Sequence, residues 1–286
     1  MNSLRQLQWT LILWAAFTSA WITGDTRGAV VEFTPSPSGE VTWVWNPPGR
    51  VKAPILLYHH VSDQRKDSRY FVSPVEFERQ MESLKRWGYT PIPLSLLATA
   101  LAEGALLPAR PVVITFDDGY RDVYQHAFPI LQEYGFVSAV YVISEQIGAR
   151  GYLTHDQLAE LVRAGWELGS HTKTHANLRL AGVRLSEEIL GSRGELETYF
   201  GVPVMSFSYP YGSTTAAIRK LVEESGYAVA VGLGGLVEHT EKTRFYLSRI
   251  EVQSEYDLKK FSELLTLAVE GRNQPNGQEQ QKFQPR

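Results

Sequence analysis

Short apolar runs alternate with amphipathic stretches along most of this chain. Ile55–Tyr58, Tyr89–Ile92, Val112–Phe116, Ala139–Ile143, Trp166–Gly169, Met205–Tyr209, Ala228–Val231 and Tyr246–Val252 read as buried strands, because each is a brief run rich in β-branched, aromatic or aliphatic residues. Between them the apolar positions recur at helical spacing. Phe77, Met81 and Leu84 share one face at i, i+4, i+7, and Ser73-Pro74-Val75-Glu76 just ahead supplies an N-cap, a first-turn proline and a capping-box acid. Thr154 to Gln157 repeats the capping signature before Leu158, Leu161 and Val162, and Ser186, Thr214 and Ser254 are further candidate caps. Strands that alternate with helices in this way predict an α/β fold. Eight strand signals favour a (β/α) barrel of seven or eight strands over an open sheet, and no glycine-rich dinucleotide loop follows the first strand.

The ends of the chain depart from this pattern. After Arg5 no charged residue occurs until Asp25, and Trp9 to Ile22 is largely apolar, with small residues at Thr18-Ser19-Ala20. Residues 1–24 are expected to be an export signal, with an uncleaved membrane anchor as the alternative, since the apolar core is shorter than the ~20 residues of a comfortable span. Either way the protein is expected outside the cytoplasm: extracellular, periplasmic or attached to the cell envelope. Residues 25–50 carry Thr34-Pro35-Ser36-Pro37-Ser38-Gly39 and Asn46-Pro47-Pro48-Gly49, which is linker chemistry. Between these, Val41 to Trp45 is expected to form a short strand or a contact with a neighbour. Residues 271–286 are polar and Gln-rich, the composition of a disordered tail. That leaves 51–270 as a single catalytic domain.

Composition narrows the chemistry. The 286 residues carry a net charge of −3 with no long basic run, which argues against nucleic acid as a partner. Cysteine is absent, so any metal must be held by His, Asp or Glu. No pattern calls for an oligomer, and a monomer is expected.

Reactive residues cluster where the strands end. His59 and His60 follow the first strand, Asp117 and Asp118 the third, and His171 the fifth with His175 four residues on; Tyr209-Pro210-Tyr211-Gly212 closes the sixth, and Arg249 lies on the last. In a barrel these carboxyl ends form one rim, where catalytic groups converge. Alone, Asp-Asp-Gly is more often a turn, and two spaced histidines are often surface residues. Together they offer one Asp and two His, leaving coordination positions open, as a catalytic Zn²⁺ requires.

Thr115-Phe116-Asp117-Asp118-Gly119, Ser170-His171-Thr172-Lys173-Thr174-His175 and the later Tyr209-Pro210-Tyr211-Gly212 resemble the motifs of the polysaccharide deacetylases, carbohydrate esterase family 4, over roughly Pro54 to Val252. The resemblance implies a distorted (β/α) barrel. It implies one divalent metal, zinc before cobalt, nickel or manganese, held by Asp118, His171 and His175, with Asp117 as the catalytic base. Its substrate would be an acetylated polysaccharide. Two departures stand out. The position two before Pro210, where the family usually carries an arginine that steadies the base, is Ser208, and Arg249 is the candidate replacement. The usual late Leu-x-His is missing, while Tyr58-His59-His60-Val61 resembles the subgroup that includes the poly-N-acetylglucosamine deacetylases. That puts His59 forward as acid, with His60 as the neighbouring alternative.

In this reading the backbone N–H of Tyr211 faces the oxyanion, and His60, Tyr120, Tyr209 and Pro210 contact substrate. The expected reaction removes acetate from an N-acetylglucosamine polymer. The alternatives are an O-acetyl esterase of the xylan type, or a barrel that has lost turnover and only binds a polymer. A glycosidase is disfavoured, because its two acids stand at least about 5 Å apart across the sugar bond.

Overall fold

The protein is described here by a computed structural model covering residues 41–65, 68–180 and 182–266. The expected signal or anchor and the expected tail lie outside the described residues. No helix among the described residues is long and apolar enough to cross a membrane.

All eight expected strands are present: β1 (Ile55–Tyr58), β2 (Thr90–Pro91), β3 (Pro111–Phe116), β4 (Ala139–Val142), β5 (Glu167–Ser170), β6 (Ser206–Ser208), β7 (Val229–Val231) and β8 (Ile250–Glu251). They pair in parallel in the order β7-β6-β5-β4-β3-β1-β8, and β2 lies against the start of β3. The sheet curls until its two ends approach, where a parallel bridge joins Val231 to Leu247. This is a distorted (β/α) barrel. The eighth strand is shorter than expected, because Glu241–Tyr246 winds into a 3₁₀ turn before Leu247 takes up the bridge.

Alternation along the strands sorts their side chains between two cores. Val112, Ile114 and Phe116 of β3 face the helices, whereas Val113 joins Ile55, Ala139, Tyr141, Val229 and Val231 inside the ring. The outer layer comprises α1 (Pro74–Arg86), α2 (Leu94–Ala102), α3 (Phe128–Tyr134), α4 (His155–Arg163), α5 (Ser192–Phe200), α6 (Ala216–Glu224) and α7 (Leu258–Thr266). Ser73 caps α1, and Thr154 with Gln157 forms the capping box of α4, as the sequence predicts. Two other caps are shifted. Thr215 rather than Thr214 accepts from the Ile218 N–H of α6, and Asp257 rather than Ser254 accepts from the Lys260 N–H of α7. Ser186 makes no side-chain cap; it leads into a π-helical turn, Glu187–Gly191, ahead of α5.

Ordered pairing begins ahead of the barrel. Trp43–Asn46 forms an antiparallel ribbon with Ala105–Pro108, and Arg50–Lys52 pairs with Glu238–Thr240. The second ribbon buries His239, which is 1% exposed and lies 2.9 Å through Nε2 from the Ala53 carbonyl. Its sequence context suggests an exposed loop. The pairing with Val51 turns the ring inward instead.

Candidate active site

The groups that the sequence gathers at strand ends do meet at one rim. Asp117 continues the β1–β3 pairing, its N–H donating to the Tyr58 carbonyl at 3.0 Å. Asp118 then turns left-handed (φ 71°), so the two adjacent carboxylates diverge. Thr172 (φ 66°), His175 (φ 64°) and Tyr211 (φ 61°) are the other non-glycine residues in this region of backbone space among the described residues. All four lie in the motif loops, where the surrounding structure sustains conformations that disfavour a Cβ.

Asp117 is 3% exposed and held from several sides. Arg249 Nη1 and Nη2 donate to its two oxygens, each at 2.7 Å, and the Ser208 hydroxyl donates to Oδ2 at 3.0 Å. The guanidinium is itself placed. Nη2 donates to Ser208 Oγ at 2.9 Å, Nη1 to Thr115 Oγ1 at 3.2 Å, and Nε to the Gly232 carbonyl at 3.0 Å. The Tyr141 ring lies beneath it, 5.6 Å from the guanidinium carbon. Gly169 gives that ring its room, since a Cβ there would stand 2.4 Å from it. Arg249 sits one residue before β8, on the extended approach to it. Burial would raise the Asp117 pKa, but the charge and hydrogen bonds of Arg249, with help from His171, outweigh it and hold the carboxyl below its usual range. The same pairing raises Arg249 above its ordinary value despite burial.

Asp118, His171 and His175 turn donor atoms toward one point. Nε2 of each histidine lies 3.4 Å from Asp118 Oδ1, and the three donor atoms fall within 4.8 Å of one another. Separations near 3.4 Å suit ligands that bond one ion at about 2.0–2.2 Å. His171 Nδ1 lies 2.8 Å from the Ser208 carbonyl, which fixes the ring and leaves Nε2 free to ligate. His175 Nδ1 lies 3.1 Å from the Tyr211 hydroxyl. Asp118 Oδ1 is buried without a hydrogen-bond partner. An orphaned buried carboxylate oxygen facing two imidazole nitrogens is an arrangement that a divalent cation satisfies. The residues present fit the metal.

His59 is half-buried at the end of β1 and packs against Tyr70, ring centroids 4.8 Å apart. Burial lowers its pKa, opposed by the charges of Asp118, Asp117 and Glu251. His60 points elsewhere. It is sandwiched between Phe71 (3.8 Å) and Tyr120 (3.7 Å), with Nδ1 2.6 Å from Asp122 Oδ2. The turn at Tyr211 is closed by the Gly212 N–H to the Tyr209 carbonyl and the Ser213 N–H to the Pro210 carbonyl, bonds that do not use the Tyr211 N–H.

Two expected substrate contacts need correction. Tyr209 is 1% exposed and points into the core, its hydroxyl donating to the Phe245 carbonyl at 3.0 Å, and Pro210 is buried beside it. The left-handed turn at Tyr211 drives these two side chains inward and leaves Tyr211 at the rim. Sequence reasoning also missed Asp122, Glu188 and Glu251. Asp122, five residues after Asp117, was visible as a third acid of the same loop; the others carried no signal beyond residue type.

A parallel barrel with a metal-competent Asp-His-His rim beside an arginine-paired aspartate has the groups that metal-assisted hydrolysis requires. The polysaccharide deacetylase family profile matches residues 106–230. The Bacillus subtilis (strain 168) protein named "Putative polysaccharide deacetylase YxkH" is 30% identical over 202 residues, 70% of this chain and 71% of its own. This chain belongs to the polysaccharide deacetylase family. The poly-beta-1,6-N-acetyl-D-glucosamine N-deacetylase of Escherichia coli (strain K12) is also 30% identical, over 41% of this chain, but the aligned part spans only 20% of that longer protein. Among solved structures, IcaB from Ammonifex degensii superposes with a TM-score of 0.64 and 25% identity, covering 78% of this chain and 98% of that one.

Proposed function

We propose that this protein is a metal-dependent deacetylase that hydrolyses N-acetyl groups of an acetylated polysaccharide, an N-acetylglucosamine polymer before others, releasing acetate and a free amine. The observation that carries this reading is the pairing of two sites on adjacent residues. Asp118 Oδ1 is unpartnered beside two histidine nitrogens, while Asp117 is held ionised by Arg249. The name of the E. coli relative supports the choice of polymer, as does the Tyr58-His59-His60 start of the domain.

Asp118, His171 and His175 would hold the ion, zinc before cobalt, nickel or manganese. A divalent ion bound there supplies a lowered pKa for water and polarisation of the acyl oxygen. Asp117 accepts the proton of the attacking water. The Tyr211 N–H faces the oxygen that gains negative charge. His59, protonated, donates to the departing nitrogen as the C–N bond breaks, so the products are a carboxylate and an amine. In this reading Tyr120 and His60 meet the sugar through their edges, since their faces stack on each other and Phe71 covers the other face of His60. Export through the N-terminal segment is part of this reading, since it puts the chain on the same side as an extracellular polymer.

The departure at Ser208 does not favour a purely binding barrel, because Arg249 supplies the charge that an arginine at 208 would bring. The decisive measurement is acetate release across poly-N-acetylglucosamine, chitin oligomers, peptidoglycan and acetylated xylan, with and without a chelator. Chelator-sensitive release from an N-acetylated polymer is expected. Release from xylan alone would favour the O-acetyl esterase. Asp117→Asn should lower turnover by about 10²–10⁴-fold, the usual contribution of a general base, while metal content stays intact. Full activity in that variant would overturn the assignment.

A further inference from the structure

The segment from His171 to His175 must bring two imidazoles to one side of Asp118, and it does so through an unfavourable backbone path. Thr172 and His175 are both left-handed, a conformation that non-glycine residues keep only where neighbours enforce it. Part of the enforcement is local. Thr172 N–H donates to Ser170 Oγ at 3.2 Å, and His175 N–H to Thr172 Oγ1 at 3.0 Å. The two N–H groups between them go elsewhere. Lys173 N–H and Thr174 N–H both donate to Glu188 Oε2, at 3.0 and 2.9 Å, and the Thr174 hydroxyl donates to Oε1 at 2.7 Å.

Glu188 is 7% exposed and comes from the π-helical turn Glu187–Gly191. Such wide turns are frequent at functional sites. Ser192 ties this turn down, donating to the Glu188 carbonyl at 2.7 Å and the Ile189 carbonyl at 3.0 Å, and its Oγ lies 2.7 Å from Ser170 Oγ at the end of β5. Glu188 is therefore fixed at its backbone, through Ser192, to Ser170 at the end of β5 and at its carboxylate oxygens to the loop that ends at His175.

We propose that Glu188 is a positioning residue that sets the distance between His171 and His175, and so the affinity of the site for a divalent ion. The inference rests on the metal reading above. It follows from the division of labour in the loop. His171 is anchored independently through Nδ1 to the Ser208 carbonyl. His175 reaches its place through the two peptide groups that Glu188 holds. Three hydrogen bonds converge on one carboxylate; an apolar side chain of similar length would leave both peptide N–H groups without their acceptor, whereas an amide can keep its oxygen toward the two N–H groups and donate its N–H₂ to the Thr174 hydroxyl, which also accepts.

The test is the Zn²⁺ dissociation constant of the chain, measured by competition with a chromogenic chelator, for wild type, Glu188→Met, Glu188→Gln, Thr174→Val and Thr174→Ser. Glu188→Met, which removes the acceptor, is expected to weaken binding by about 10–100-fold, the range found when groups that orient metal ligands are removed. Glu188→Gln, which can keep the three contacts, should recover much of that loss. Thr174→Val should weaken binding less than Glu188→Met, and Thr174→Ser, which keeps the hydroxyl, should restore the wild-type value. The melting temperature of each metal-free variant is recorded alongside. A Glu188→Met chain with unchanged Zn²⁺ affinity overturns the proposal, and so does one whose only change is a lower metal-free melting temperature. If Glu188→Met fails to fold, Thr174→Val decides, and an unchanged constant there overturns the positioning role. A wild-type chain that binds no divalent ion would instead overturn the metal reading itself, and the role of Glu188 with it.

Discussion

Arg249 and Asp117 are 132 residues apart in the sequence, yet meet in a two-point ion pair with both N···O distances at 2.7 Å and both residues almost fully buried. Each charge is stranded without the other. Arg249→Met should therefore destabilise the fold by about 3–5 kcal/mol, the usual consequence of breaking a buried pair by removing one partner. It should also change the pH dependence of turnover. A base acts ionised, and with its pKa held low it is active from the acid side upward. Without Arg249 that pKa rises, so the acidic limb of the kcat/KM profile should move to higher pH. Urea unfolding and a pH profile check the two parts; an unmoved acidic limb in a folded variant would remove Arg249 from the site.

Ser208 sits between the two, donating to Asp117 and accepting from Arg249. Ser208→Ala should cost about 1.5–3 kcal/mol, since both of its hydrogen bonds run to charged groups, and reduce turnover less than loss of Arg249. The position is 0% exposed, so Ser208→Arg in the presence of Arg249 should overpack the site. Combined with Arg249→Ser, the same change moves the guanidinium to the place the family usually gives it. That swap should recover part of the activity lost in Arg249→Ser alone. Acetate release from the three variants tests this, and no recovery would mean that the rest of the site has been rebuilt around residue 249.

In the proposed reaction His59 donates a proton, so its active form would be lost as pH rises through its pKa. Burial has already lowered that value, and Glu251 is one of the charges that oppose the lowering. Glu251→Gln should lower it further and shift the alkaline limb of kcat/KM to lower pH. His59→Gln should abolish that limb along with most turnover. A profile that keeps its alkaline limb in His59→Gln would transfer the acid role to another group.

Far from the rim, His239 should make the fold acid-sensitive. Burial lowers its pKa from 6.5 to about 4, opposed by the hydrogen bond to the Ala53 carbonyl. The unfolded chain takes up a proton below pH 6.5 that the native state refuses until about pH 4, so the unfolded state binds more protons in that window. Stability is fully present above pH 6.5 and falls as pH drops toward 4, by about 3 kcal/mol for this group. Urea unfolding at pH 7.5 and 5.0 should show the loss, and His239→Gln should lack that component of it.

Much of the barrel is legible because buried parallel strands are short apolar runs, and the helices between them announce themselves through caps such as Ser73 and Thr154. The gathering of Asp117, Asp118, His171 and His175 was legible for a related reason, since strand ends share a rim. Less visible was everything that depends on a side chain's direction. Tyr209 and Tyr211 are two residues apart in one motif, but a single left-handed residue sends one into the core and leaves the other beside His175. His239 looks like a loop residue until a distant strand, Arg50–Lys52, pairs with its own. Glu188 shows why acids inside helices stay silent: its contacts are to peptide groups fourteen and fifteen residues earlier, and no periodicity encodes that encounter.

The bridge between Val231 and Leu247 lies just before Arg249, so the ring closes and Asp117 gains its counter-charge in the same short piece of chain. A polypeptide still being synthesised carries Asp117, Asp118, His171 and His175 before this segment emerges. Until it docks, Asp117 lacks the counter-charge that makes its burial tolerable. Completion of the barrel and completion of the buried ion pair are thus one event, and a chain cut short before residue 249 would lack both.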